Sequence, residues 1–160
     1  MSKVTILIGL PGCGKTTYLE NNSMFFPGGF YDDFHGRAIN DFTDLKSSLG
    51  YEAIKNALLE GKDCAISDIE YCREARLLKI EDELDKLGKE MNITVEMKKL
   101  YFENNPNACR HNVVHRFNTK SSRNYIEELK KIDDLSKIYQ CPENSIPIKN
   151  CCTDQTVIKS

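Results

Sequence analysis

The sequence predicts a three-layer α/β fold with a parallel sheet of about five strands. Three observations carry that expectation. Short apolar, β-branched runs alternate along the chain with segments of helical period, which calls for right-handed crossovers between parallel strands. The first run feeds without a break into a glycine-rich octapeptide that opens a helix, residues 9–16, Gly-Leu-Pro-Gly-Cys-Gly-Lys-Thr. The length of 160 residues and the 40% apolar content fit one domain, 1–160, with a single core.

The elements follow in chain order. Residues 3–8 form the first strand, apolar enough to be buried, and residues 15–22 its helix. Pro27-Gly28-Gly29 is a turn, and the short extended piece Phe30-Tyr31 after it ends on Asp32 and Asp33. Residues 34–47 mix polar and aromatic side chains without a sustained period and read as a loop with one helical turn. Tyr51, Ile54, Ala57 and Leu58 recur at helical spacing, and Gly61 stops that helix before the strand Cys64-Ala65-Ile66-Ser67, which Asp68 closes. Residues 71–90 are a charged helix with Ala75, Leu78, Ile80, Leu84 and Leu87 as its expected buried positions, and residues 92–102 return to strand. Residues 105–117 and 121–139 read as helices separated by Asn118-Thr119-Lys120. Ile146-Pro147-Ile148 is expected as a last short strand, its proline favouring an edge. Ligands bind such sheets at the carboxyl ends of the strands, so the octapeptide, Asp32-Asp33 and Ser67-Asp68 should share one cleft, with residues 105–123 as its lid.

Composition bounds the partners. A net charge of −2 excludes a globally basic nucleic-acid binder and leaves room for a local basic face. Seven cysteines with no CxxC spacing indicate neither a disulfide framework nor a zinc site, and point to reduced thiols in a cytosol-like compartment. The first strand begins almost at once, leaving no room for a signal peptide, and no apolar stretch approaches the roughly 20 residues that span a bilayer. A cytoplasmic protein with no membrane contact is therefore expected, and no sequence feature marks a protein partner.

The octapeptide is a full match to GxxxxGK[ST]. Gly9, Gly12 and Gly14 let successive N–H groups turn inward on phosphate oxygens, and the helix start adds partial positive charge. Lys15 is placed for the β and γ phosphates of a triphosphate, and the Thr16 hydroxyl for a Mg²⁺ ion that keeps most of its waters. The competing reading is a glycine-rich turn with no ligand. Asp32, at a strand end beside this site, is either the base that takes the proton of an acceptor hydroxyl or part of an ordinary solvated turn, with Asp33 on the metal shell or turned to the loop backbone. Asp68 holds a metal-bound water or the Thr16 hydroxyl, caps the helix beginning near Glu70, or does both. Between Arg110 and Arg123 lie Arg110, His111, His115, Arg116, Lys120 and Arg123 with no acidic residue. That segment is either a solvated basic face or the source of one arginine, Arg116, that neutralises charge on the β and γ phosphates. Cys13 is a modifiable thiol in the loop or an inert filler.

In order, residues 9–16, Tyr31-Asp32-Asp33-Phe34, Ile66-Ser67-Asp68, Cys72-Arg73-Glu74-Ala75-Arg76, Tyr101-Phe102-Glu103-Asn104-Asn105-Pro106, Asn112 and Arg116 resemble the polynucleotide kinase-like branch of P-loop kinases, which includes phage 5′-hydroxyl kinases. The resemblance spans nearly the whole chain. It implies a P-loop NTPase/kinase fold with a helical lid, and ATP held by Gly9, Pro11, Gly12, Cys13, Gly14, Lys15, Thr16, Thr17 and Arg116. It further implies Mg²⁺ at Thr16 and, partly through water, Asp68; Asp32 as base; and Asp33, His35, Asp68 and Arg76 on the acceptor side. An adenine pocket near residues 141–143, and the host cytoplasm as location if the protein is phage-encoded, follow from the same likeness. The chain departs from the pattern at His35 and Ile69, where the phage end-healing enzymes carry an Arg and a Thr that hold substrate phosphate.

The expected function is ATP- and Mg²⁺-dependent transfer of the γ phosphate to a hydroxyl, foremost the 5′-hydroxyl of a nucleic acid, with Lys15, Asp32 and Arg116 as the catalytic set. A small acceptor, such as a nucleoside or nucleotide, is the second reading. A catalytically weak ATP-binding switch is the third.

Overall fold

The computed structural model describes residues 2–32, 34, 50–120 and 125–148, with only the helical backbone for residues 118–120. The elements are β1 (Ser2–Ile8), α1 (Lys15–Asn21), β2 (Phe30–Tyr31), α2 (Tyr51–Leu59), β3 (Cys64–Ser67), α3 (Glu74–Glu90), β4 (Val95–Tyr101), α4 (Pro106–Lys120) and α5 (Tyr125–Ser136). β1 lies inside the sheet, in parallel register with β3 from Val4↔Cys64 to Leu7↔Ser67 and with β4 from Ser2↔Val95 to Ile8↔Tyr101. β2 adds to the far side of β3, so the order is β2-β3-β1-β4. The burial explains the sequence pattern: Val4, Ile6, Leu7 and Ile8 are fully buried on a strand covered on both faces, and each such side chain contributes about 1.5–3 kcal/mol.

The fold is thus α/β with a parallel sheet, and it differs from the sequence expectation in four places. Among the described residues the sheet has four strands rather than five. Ile146 makes a single parallel bridge to Phe102, donating its N–H to the Tyr101 carbonyl (2.8 Å) and accepting from Glu103 N–H (2.9 Å). The next rung is diverted, because Ile148 N–H donates to the Glu103 carboxylate (3.0 Å) instead of a backbone carbonyl. Second, residues 69–72 form a separate 3-10 turn before α3 begins at Glu74. Third, the buried stripe of α3 runs through Leu77, Ile80, Leu84 and Leu87; Leu78 is 57% exposed and Ala75 also faces outward. Fourth, α4 continues through residues 118–120, where a break is expected from their polarity. α4 is held on the glycine loop through Asn112 and on α5 through Arg110 and Arg116, tertiary contacts that local polarity does not report. Most of the expected loop 34–47, and the start of the expected helix at 121, lie outside the described residues.

Tyr139, buried beyond α5, shares its hydroxyl between the carbonyls of Ile8 (3.2 Å) and Phe102. It ties the end of β1 to the chain leaving β4. The apolar environment pushes its phenol well above the usual range, so it remains a hydrogen-bond donor. Among the described residues no helix is long and apolar enough to cross a membrane.

Candidate active site

The carboxyl ends of β1, β2 and β3 converge because parallel strands all finish on the same edge. From β1 the chain turns through residues 9–14 into α1. Gly12 has φ 81°, and a Cβ there would lie 2.6 Å from the Cys109 carbonyl and 2.8 Å from Val113 Cγ2. Only glycine lets α4 approach this closely. Asn112 Nδ2 then donates to the Gly12 carbonyl at 3.0 Å, fixing α4 on the loop. Gly14, at φ 100°, precedes α1 and faces open space, with no atom within 4 Å of where its Cβ would be.

Lys15 is 7% exposed and folds back inside the loop. Its ammonium donates to the carbonyls of Gly9 (2.6 Å) and Leu10 (3.0 Å) and to Cys13 Sγ (3.4 Å). Burial opposes its charge, but Cys13, Cys72 and Asp32 outweigh that cost and raise its pKa, so the ammonium stays protonated at neutral pH. Thr16 and Thr17 are exposed at the mouth of the site, and Pro11 is buried under it.

Asp32 is where the separate segments meet. Thr16 Oγ1 donates to its Oδ2, and Ser67 Oγ donates to its Oδ1 at 2.6 Å. A carboxylate accepts only, so both hydroxyls must be donors. The contact joins the start of α1, the end of β2 and the end of β3. Phe34, almost fully buried, donates its N–H to the Ser67 carbonyl (3.0 Å) and anchors the chain that leaves Asp32. Ser67 was expected at the cleft beside Asp68, but without a role of its own there. The signal was present in the register: Tyr31 pairs with Ile66, so the residues that follow, Asp32 and Ser67, are neighbours across the strand ends.

Asp68, buried, accepts from Glu70 N–H (3.0 Å) and caps the 3-10 turn, the second of the roles open to it. Arg76 stands half-buried in the first turn of α3. Arg116 bridges α4 to α5, its Nη2 lying 2.7 Å from Glu128 Oε1, and Arg110 pairs with Asp133 at 2.6 Å. Two arginines of the basic segment are therefore paired with acids of α5 that lie too far along the chain to be seen with it, and the side chains of Lys120 and Arg123 lie outside the described residues. Asp33 and His35 lie outside the described residues. Cys13 is 3% exposed, and burial pushes the neighbouring thiols of Cys72 and Cys109 up to about 12.

Among the described residues no group of three or more His, Cys, Asp or Glu side chains is disposed to hold a metal ion. The donors that do gather at the loop mouth, the Thr16 hydroxyl and the Asp32 carboxylate, are hard oxygens. That set suits Mg²⁺, which takes one or two protein oxygens and fills the rest with water and phosphate.

No family model matches the chain, and no curated protein matches it. Among solved structures, the crystal structure of a fungal RNA kinase is similar over 93% of this chain and 74% of its own, with a TM-score of 0.58 and 15% sequence identity. At that identity the likeness is one of fold, and it agrees with the α/β architecture and parallel sheet.

Proposed function

We propose that the protein is an ATP- and Mg²⁺-dependent phosphotransferase of the P-loop kinase type, a single domain with residues 105–123 as its lid, and that its acceptor is a hydroxyl, foremost the 5′-hydroxyl of a polynucleotide. The observation that carries the reading is the Asp32 carboxylate, gripped by the hydroxyls of Thr16 and Ser67 beside a buried, charged Lys15. A GxxxxGK[ST] loop accounts for triphosphate binding. A carboxylate against the loop threonine supports transfer, since a base beside the loop can take the proton of an acceptor hydroxyl.

In this reading Lys15 exchanges the Gly9 and Leu10 carbonyls for the β and γ phosphates. When bound at Thr16, Mg²⁺ supplies charge neutralisation to the same phosphates. Asp32 accepts the proton of the acceptor hydroxyl as that oxygen forms its bond to the γ phosphorus; the bond from phosphorus to the bridging oxygen breaks, and ADP leaves with the electron pair. Arg116 leaves Glu128 and stabilises the charge developing on the transferred group. On the family resemblance, we assign Asp33, His35, Asp68 and Arg76 to the acceptor. The likeness in fold to a fungal RNA kinase supports a nucleic-acid acceptor.

One observation favours the smaller acceptor: the two arginines of this segment whose side chains are described, Arg110 and Arg116, both pair with acids of α5. Incubation with γ-labelled ATP and a panel of 5′-hydroxyl oligonucleotides, nucleosides and water separates these acceptors by where the label goes.

A further inference from the structure

Helix α4 meets the glycine loop at Gly12. Cys109 and Val113 crowd that residue so closely that a Cβ would lie 2.6 Å from the Cys109 carbonyl and 2.8 Å from Val113 Cγ2, which sets how near the helix comes. Such contacts are non-directional, and they do not by themselves fix where along its axis the helix stops. A hydrogen bond is directional. Asn112, buried between the same two residues of α4, donates from Nδ2 to the Gly12 carbonyl at 3.0 Å, joining positions 100 residues apart. Arg116 follows four residues later on the same helix, on the same face and about 6 Å farther along the axis. Helical side chains lean toward the amino end, so the Arg116 stem points back over the turn that carries Asn112.

We propose that Asn112 is a positioning residue for phosphoryl transfer: by fixing the register of α4 on Gly12, it sets the reach of Arg116 over phosphates held by that same loop. The inference rests on the kinase reading above, with Arg116 as the arginine that meets the transferred group. Its basis is the bond to Gly12 and the helical spacing, whatever other contacts Asn112 and Arg116 make. The partly exposed pair with Glu128 is modest, so the aim of the guanidinium depends on the backbone that carries it. A displacement of about 1 Å at such a group is enough to cost about 10²-fold in rate.

The test is a double-mutant cycle on the full chain: wild type, Asn112→Ala, Arg116→Ala and the double variant. Each is assayed in single turnover with γ-labelled ATP and the best-labelled hydroxyl acceptor of the panel, each is titrated with a non-hydrolysable ATP analogue, and urea midpoints confirm that each is folded. Asn112→Ala should slow transfer by about 10- to 10²-fold and leave affinity for the analogue within about threefold; once Arg116 is gone, the same change should cost less than about twofold more. Asn112→Ser, whose hydroxyl leaves the buried site polar but on a shorter arm, replaces the alanine variant in the cycle if that one does not fold. An equal loss with and without Arg116, a loss that falls on analogue affinity instead of rate, or no loss at all overturns the positioning role and leaves the kinase reading standing. A wild-type protein that labels no hydroxyl overturns the kinase reading and this role together.

Discussion

Arg116 Nη2 lies 2.7 Å from Glu128 Oε1 and 2.8 Å from Oε2, so one nitrogen of the guanidinium spans both oxygens and links α4 to α5. The pair is partly exposed, and exposed pairs are modest, about 0–1 kcal/mol. A pair of that strength does not lock the guanidinium in place.

If Arg116 is the arginine that meets the phosphates, Arg116→Ala should lower kcat by about 10³-fold or more with a smaller effect on ATP affinity. Glu128→Gln should have the opposite sign, a gain of at most about fivefold in kcat/KM, because it removes the competitor. Single-turnover kinetics of both variants check this, and near-normal transfer by Arg116→Ala would remove it from the mechanism.

Gly12 and Gly14 make a matched pair. Both have positive φ, but only at Gly12 would a Cβ strike backbone, 2.6 Å from the Cys109 carbonyl. Gly12→Ala should cost about 3 kcal/mol, from strain plus the collision with α4, and Gly14→Ala about 1 kcal/mol from strain alone. Urea midpoints give the two values; equal costs would mean that α4 does not rest on the loop.

The buried thiols set the alkaline limit. Burial raises Cys64, Cys72 and Cys109 to about 12 from an ordinary value of 9.0. A group raised on folding stabilises fully below its unfolded pKa and loses that contribution as pH climbs toward the folded one. Stability should therefore hold up to about pH 9 and fall steadily from there toward 12. Equilibrium unfolding between pH 7 and 11 measures the slope, and the same thiols should react with an aromatic disulfide reagent only as the protein opens.

Much of this arrangement was legible in the sequence, for identifiable reasons. β1 and β3 are short, apolar and bounded by glycine or aspartate, and the octapeptide needs a strand before it and a helix after it. Helix α2 was readable from its spacing and from Gly61, which has φ 72° as a C-terminal stop requires. What escaped was tertiary. Leu77 rather than Leu78 faces the core, a choice of about 100° on the helix that propensity cannot make. The Ile146 strand stops at one bridge because a side chain, Glu103, takes the next N–H. Glu128 and Asp133 pair with Arg116 and Arg110 from a helix that periodicity alone does not orient, and the bond from Ser67, expected in the cleft, to Asp32 depends on strand register.

Lys15 and Asp32 separate binding from chemistry. Lys15→Ala should abolish most nucleotide binding and transfer, since it removes the loop cation. Asp32→Asn should keep ATP binding within a few-fold while transfer falls by about 10²-fold or more, as for loss of a general base. Equal loss of binding and transfer in Asp32→Asn would instead assign it to the metal shell or to the fold. Isothermal titration with a non-hydrolysable ATP analogue, alongside turnover, distinguishes the two.

The most direct measurement is the destination of the γ phosphate. With γ-labelled ATP, Mg²⁺ and equal concentrations of a 5′-hydroxyl oligonucleotide and a nucleoside in water, label is expected on a hydroxyl acceptor, foremost the oligonucleotide 5′ end, and should be lost with Asp32→Asn. Label that remains on ATP, or that appears only as inorganic phosphate at a rate indifferent to Asp32, would contradict it.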